Sequence, residues 1–301
     1  MHLYLGTRGS KLAMTQSQQV ANAIQKATGA TVELVIIQTK GDKVLNKPLA
    51  EIGGKGLFTA ELEAALREKR IDFAVHSLKD MDSVETKGLI IQAYLERNDP
   101  RESFVSKKFK KLSEIKNGKI GSSSRRRELQ LKLFNKNVKV ESIRGNVDTR
   151  IKKVEAGEFD GVILALAGLK TLNLEKYVTE TFSIKDFVPT AGQGIIAVQC
   201  REDDEDIRKI LKKINHNKTE VCALAERSFL KTLGGDCDTA VGCSVILDKG
   251  KIELSAQLFS DDGQKVFNVV KLGKSNQPQL LGKIAGEEIL KKSGNSFIKK
   301  R

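Results

Sequence analysis

Tryptophan is missing from this chain of 301 residues, and aromatic residues of all kinds make up only 5%. Single-strand nucleic-acid binders stack bases on such rings, so their scarcity argues against that class. Cysteine is scarce too: Cys200, Cys222, Cys237 and Cys243 are scattered and form no C-x-x-C pair. With only His2, His76 and His216 to join them, they suggest neither a disulfide framework nor a zinc site, and no metal is expected. Reduced thiols point to a reducing compartment, hence the cytoplasm. No apolar run is long enough to cross a bilayer. The opening "MHLYLGTRGSKLAM" has no basic stretch followed by an apolar core and a small-residue cleavage site. Acidic residues are the last shortage, with 38 Asp and Glu against 52 Lys and Arg, a net charge of +14. That surplus suits nucleic acid, an anionic surface or acidic small molecules equally, and a lysine-rich solvated exterior explains much of it.

What is present alternates. "HLYLGT", "TVELVIIQT", "IDFAVHS" and "GLIIQAYLE" read as strands, the second of them buried, and helical spacing runs through "KLAMTQSQQVANAIQKA" and "LFTAELEAALREK". The middle third repeats the theme, with "GKIGSSS" ending a strand, "RRRELQLKLF" and "VDTRIKKVEAG" as helices, and "FDGVILALAGL" as a buried strand entering a turn or helix. Strand, polar loop and helix in turn give a parallel or mixed sheet covered by helices, with ligands gathered at the carboxyl ends of the strands. "FVPTAGQGIIAVQC" reads as a hinge and a strand able to return to the first sheet. The last third differs: a helix, the "GGDCDTAVG" loop, three strands turning at Lys249-Gly250 and Asp262-Gly263, and a helix over about 279–292.

Arginines recur at the strand-to-helix loops: Arg8 in "GTRGS", Arg126 and Arg127 in "SSSRRR", Arg144 and Arg150 in "SIRGNVDTR", with Ser10 and Ser123 beside them. A helix start carries positive partial charge, so arginines stacked there ask for an anion between them. Guanidinium forks bind carboxylate or phosphate through two parallel bonds, which lysine does not. Any one of these arginines is explained by a surface ion pair; five at equivalent loops suggest a polyanion site. Lys79 and Asp80 close the strand "VHSLKD". They are either a structural pair or, in a cationic cleft, the negative group that steadies a developing cation. His76 lies in an apolar strand and reads as a packed residue. Cys237 follows two glycines on a loop, where it is a small buried thiol or an attachment point.

Taken together, "GTRGSKLA", "GGKGLFTAELE", "DFAVHSLKDM", "GSSSRRRELQL", "SIRGNVDTRI", "AGLK", "TAGQGIIAVQCR" and the Cys237 loop resemble the porphobilinogen deaminase (hydroxymethylbilane synthase) family, in its order and spacing from Thr7 to Gly242. The resemblance implies an α/β fold of two doubly wound, periplasmic-binding-protein-like domains with a hinge, plus a smaller α+β C-terminal domain with a three-stranded sheet. Residues 1–96 with 195–214 would form the first domain, 97–194 the second and 215–301 the third. It implies a transferase that joins four porphobilinogen molecules head to tail with loss of ammonia, giving hydroxymethylbilane for tetrapyrrole and haem biosynthesis. The growing chain would sit on a dipyrromethane cofactor held by a thioether to Cys237. Asp80 matches the family's catalytic aspartate. Arg8, Ser10, Lys79, Ser123, Arg126, Arg127, Arg144 and Arg150 match residues that hold acetate and propionate groups. The loop 41–56 resembles a mobile cover, with Lys55 and Phe58 at its end. The chain departs from the pattern at Thr171, where many members carry another arginine, and at Asp236, where glycine is usual.

The expected molecule is therefore a cytoplasmic monomer acting on porphobilinogen, with no nucleic-acid or membrane partner. Two other classes stay open on residues alone. A non-catalytic two-lobed anion-binding protein explains the arginines and the hinge but gives Asp80 and Cys237 no role. A nucleic-acid binder explains the charge and predicts steeply salt-dependent polynucleotide binding.

Overall fold

The computed structural model describes residues 1–43, 56–234 and 239–297. It divides into two compact units, Met1–Asn98 with Gly194–Val221, and Asp99–Gln193 with Cys222–Arg301.

The first unit is built on a five-stranded sheet in the order β2-β1-β3-β10-β4. Its strands are β1 (His2–Thr7), β2 (Thr31–Ile36), β3 (Phe73–Ser77), β4 (Leu89–Tyr94) and β10 (Ile196–Arg201). β1 is parallel to β2 and β3, whereas β10 runs antiparallel between β3 and β4, pairing Val198 with both Val75 and Ala93. The strand expected to return to the first sheet does so. Helix α1 (Lys11–Thr28) starts at Ser10, whose hydroxyl accepts from Ala13 N–H, and stops at Gly29, left-handed at φ 74°. Its Val20 and Ile24 pack with Leu3, Leu5, Phe73, Val198 and Leu211 on one sheet face. On the other face Ile37, Ile71 and Ala74 meet Leu62 and Leu66, the latter two from α3 (Ala60–Arg67). Between them, α2 (Lys40–Lys43) opens the segment after β2. β2 lies at the sheet edge and its Ile36 is 60% exposed, so it is not the buried strand its composition suggests. β-Branched residues fit edge strands as well as central ones, and composition does not separate the two.

The second unit repeats this plan. Strands β5 (Glu102–Val105), β6 (Gly118–Gly121), β7 (Val138–Glu141), β8 (Gly161–Ala165) and β9 (Val178–Thr181) take the order β7-β6-β8-β5-β9. β6, β7 and β8 are parallel and β5 is antiparallel to its neighbours. Helices α4 (Arg125–Phe134) and α5 (Val147–Glu155) follow β6 and β7, and α6 (Leu166–Thr171) follows β8 directly. Phe104, Ile120 and Leu131 centre one core, Ile143, Ile151 and Val162 another. Burying a side chain of this size is worth about 1.5–3 kcal/mol each.

The unit also holds the antiparallel sheet β11 (Val241–Asp248), β12 (Lys251–Phe259) and β13 (Val266–Lys274). Lys249 and Gly250 both have positive φ, 45° and 79°, as a tight hairpin turn requires. Helices α8 (Asn217–Leu233) and α9 (Pro278–Ser293) flank this sequence, after α7 (Glu205–Lys212) in the first unit. Contacts tie the sheet to the middle segment: Gln130 bonds to Gln257 and to Val188 O, Cys243 N–H to Pro189 O, and Leu129 packs on Phe259. Among the described residues no helix is long and apolar enough to cross a membrane.

Candidate active site

In the first unit β1 ends at Thr7, and the next residue, Arg8, projects where α1 is about to begin. Its guanidinium grips Asp42, with Nη2 to Oδ1 at 2.6 Å and Nε to both carboxylate oxygens at 3.2 Å. It also stacks on Phe58, 4.1 Å from the ring centroid, a contact worth about 0.5–2 kcal/mol depending on desolvation. Phe58 lies so close to Gly41 that a Cβ there would meet its ring at 2.1 Å, so a side chain at 41 would push the ring aside. Burial opposes the charge on Asp42, but hydrogen bonds from Arg8 and Thr39 prevail and hold its carboxyl below the ordinary range.

β3 runs into a single helical turn, Leu78–Asp80, pinned by Leu78 N–H donating to Ile195 O at 2.9 Å. That turn delivers Lys79 and Asp80 to the hollow that Arg8, Ser10, Gln16 and Phe58 also line. Asp80 Oδ2 stands 3.9 Å from Arg8 Nη1, and its side chain is 33% exposed. Ser10 caps α1, and its hydroxyl keeps a proton to donate. His76 is a buried part of the same wall, its Nε2 3.2 Å from Gln199 Oε1. Burial, with the Arg8 charge adding to it and the Gln199 bond opposing it, pushes its pKa down to about 4, so the ring is neutral at physiological pH. It is the packed residue expected.

In the second unit Ser124 caps α4, accepting from Arg127 N–H. The anion that the stacked arginines ask for belongs to the chain itself. Glu102, the first residue of β5, is completely buried and takes both guanidiniums: Arg126 Nη2 at 2.6 Å, and Arg127 Nε and Nη2 at 3.0 and 2.7 Å. Burial opposes its charge, but Arg127 and Arg126 hold its carboxyl down at about 2. Ser123 latches two loops together, donating to Ile143 O at 2.7 Å and accepting from Ile143 N–H at 3.1 Å. Arg150 donates from Nε to Gly145 O at 2.8 Å, and its terminal nitrogens meet no acceptor among the described residues. Burial, then the nearby charges of Arg127 and Arg144, lower its pKa to about 10.

The structure thus gathers Arg8, Ser10, Phe58, Lys79 and Asp80 in one unit, and Ser123, Arg126, Arg127, Arg144 and Arg150 in the other. Lys55, most of the loop 41–56 and Cys237 with its neighbour Asp236 lie outside the described residues. Thr171 Oγ1 donates back to Ala167 O within α6, and Lys170 pairs with Asp99 at 3.5 Å. Sequence reading missed Asp42 and Glu102. The signal was arithmetical: arginines buried at a helix start need an internal carboxylate. A group carrying several carboxylates suits the second unit, because Arg150 is a partly buried cation held among other cations, with no acid partner among the described residues.

Residues 3–209 match the family model for porphobilinogen deaminase, dipyromethane cofactor binding domain, and residues 220–291 match porphobilinogen deaminase, C-terminal domain. The porphobilinogen deaminase of Syntrophobacter fumaroxidans is 39% identical over 288 residues, covering 95% of this chain and 93% of that one. The enzyme of the same name from Desulforamulus reducens is 39% identical over 296 residues, covering 98% and 96%. Among solved structures, the methionine-binding protein MetQ overlaps 71% of this chain and 88% of its own at 14% identity and a TM-score of 0.44. The Bordetella pertussis BvgS VFT2 domain overlaps 71% and 85% at 14% identity and 0.43. Superpositions this loose carry no functional weight.

Proposed function

The chain belongs to the porphobilinogen deaminase family, and from that premise we propose how its own residues divide the work. The activity is that of a hydroxymethylbilane synthase, a transferase of tetrapyrrole and haem biosynthesis that polymerises porphobilinogen on a dipyrromethane cofactor. When bound, the cofactor supplies a tethered pyrrole chain as the acceptor. Asp80 is the catalytic carboxylate. As the C–N bond of porphobilinogen breaks and nitrogen leaves as ammonia, positive charge spreads over the pyrrole ring. A carboxylate fixed beside it stabilises that charge and accepts a bond from the ring N–H. The observation that carries this role is the placement of Asp80 at the carboxyl end of β3, the one carboxylate among the described residues that line a hollow with Arg8 and Lys79.

Arg8, Ser10 and Lys79 take substrate carboxylates at that hollow, with Phe58 backing Arg8 and Lys55 joining from the cover. Ser123, Arg126, Arg127, Arg144 and Arg150 serve the carboxylates of cofactor and product. Attachment falls to Cys237. Cys200, Cys222 and Cys243 are all buried, and burial with the Asp204 charge pushes the Cys200 thiol up to about 12, far from a thiolate. Three domains, 1–96 with 195–214, 97–194 and 215–301, complete the reading, as a cytoplasmic monomer binding neither nucleic acid nor membrane.

The deciding experiment is the intact mass of the purified chain with a peptide map across Cys237. The expected excess is two porphobilinogen units less two ammonias, on that cysteine and absent from Cys237→Ala. A wild-type chain that stays at its bare mass after incubation with porphobilinogen overturns the reading and favours an anion-binding protein without catalysis.

A further inference from the structure

Glu102 has no part in the roles assigned so far, and its surroundings are unusual. Its carboxylate is wholly buried at the start of β5, yet both oxygens bond to guanidiniums. Arg127 spends Nε and Nη2 on it and turns Nη1 to Ile163 O at 3.2 Å. Arg126 spends Nη2 on it, while Nη1 is shared between Gln130 Oε1 and Val188 O, both at 2.9 Å. Every one of these acceptors belongs to the scaffold, so the two side chains are locked from four directions: β5, β8, α4 and the Val188 segment. One carboxylate between two guanidiniums leaves one positive charge over. That charge lies close enough to Arg150 to act on its proton affinity.

A carboxylate arriving from solution meets a pair whose inward N–H groups are already committed to a partner that water does not reach. Displacing Glu102 would strand a desolvated charge, which proteins tolerate poorly. The pair therefore works with Glu102 in place. We propose that Glu102 is a positioning residue of the second unit's carboxylate site: it fixes the orientation of Arg126 and Arg127 and cancels one of their two charges, so that anion binding depends on Glu102 although Glu102 touches no ligand. This rests on the reading that the second unit holds the carboxylates of cofactor and product.

The test compares full-length wild type, Glu102→Asp and Glu102→Gln by thermal midpoint, by kcat and KM for porphobilinogen, and by intact mass for the fraction carrying the adduct. Aspartate keeps the charge on an arm one methylene shorter, so both guanidiniums must shift. Glu102→Asp is expected to fold and to carry the adduct on fewer than a third of chains, with kcat per total chain falling in proportion and KM for porphobilinogen, set at the first unit's hollow, changed less than threefold. Glu102→Gln is expected to show the larger loss of adduct among chains that fold; if it does not fold, Glu102→Asp decides alone. A merely structural Glu102 gives the opposite pattern: lowered thermal midpoints, with full adduct and wild-type kcat in the folded fraction, and that result overturns the proposal. A wild type that consumes no porphobilinogen brings down the parent reading instead, and this one with it, which keeps the two failures apart.

Discussion

Two buried groups make the molecule acid-labile by opposite routes. His76 is held at about 4 when folded against 6.5 when free, because burial and the Arg8 charge disfavour its proton. Between those values the unfolded chain binds the extra proton, so stability falls as pH drops from 6.5 toward 4, by about 3 kcal/mol in all. Glu102 is held at about 2 against 4.5, so its stabilisation is complete above pH 4.5 and is lost as pH falls toward 2. Neither effect operates at neutral pH. Urea midpoints taken from pH 7.5 down to 4.5 should decline, and His76→Gln, which preserves a bond to Gln199, should flatten the decline between 6.5 and 4.5. An unchanged slope would assign the acid sensitivity elsewhere. Asp80 gives the second prediction at this scale. Asp80→Asn keeps the shape and loses the charge, and removing one group that stabilises the developing charge costs about 10²–10³-fold in kcat. Single-turnover kinetics should show that loss, with the adduct mass and the thermal midpoint unchanged. What sequence resolved here was residue type at loop ends: Arg8, Asp80 and the paired arginines were all legible from position alone. Their partners were not, because Asp42 sits in the unpatterned "KGDK" and Glu102 opens a four-residue strand, and pairing across a fold leaves no local trace.

Elements were read well where a period or a cap marked them. α4 covers the expected "RRRELQLKLF", α9 extends the expected last helix by one residue at each end, and the three C-terminal strands turn where Lys249-Gly250 and Asp262-Gly263 put them. Of the four-residue strands, β6 was read because a polar loop and helix follow it, whereas β5 and β9, which no helix directly follows, were missed. Edge and centre were confused for β2, because strand order is set by crossovers rather than by the strand's own residues. Close helix contact was equally silent. α9 approaches α8 so closely at Gly282 that a Cβ would fall 2.2 Å from Ala225 O and 2.8 Å from Phe229 N. Those neighbours are backbone atoms and have nowhere to move. Gly282→Ala should therefore destabilise by about 1–3 kcal/mol through overpacking, despite alanine's better helix propensity. Gly157→Ala makes the contrast: nothing lies within 4 Å, so its cost comes only from a φ of 80°. Calorimetry on both variants separates crowding from backbone strain, and a harmless Gly282→Ala would mean the helices can move apart at little cost.

At the scale of the whole molecule, the surplus of cations is the feature composition announced and individual sites only partly absorb. Several arginines are neutralised internally: Arg8 by Asp42, Arg101 by Asp99, Arg201 by Asp204, and the helix-start pair half-neutralised by Glu102. The net +14 therefore rests largely on lysines, whose charges act at a distance rather than through shaped contacts. Porphobilinogen brings carboxylates, and a cationic exterior raises the encounter rate of such anions without changing what happens once they are seated. Exposed charges are screened within about 10 Å at 0.1 M salt, whereas buried pairs such as Arg127–Glu102 are screened far less. The two roles come apart on this basis. Raising ionic strength from about 0.02 to 0.5 M should lower kcat/KM for porphobilinogen several-fold while kcat changes less than twofold. An uncharged osmolyte at equal osmolarity should do neither. Equal losses in kcat and kcat/KM would mean that salt reaches the reacting site itself. A flat response would leave the lysine surplus with no part in capturing substrate, and steep salt-dependent retention on polynucleotide would then give it another one.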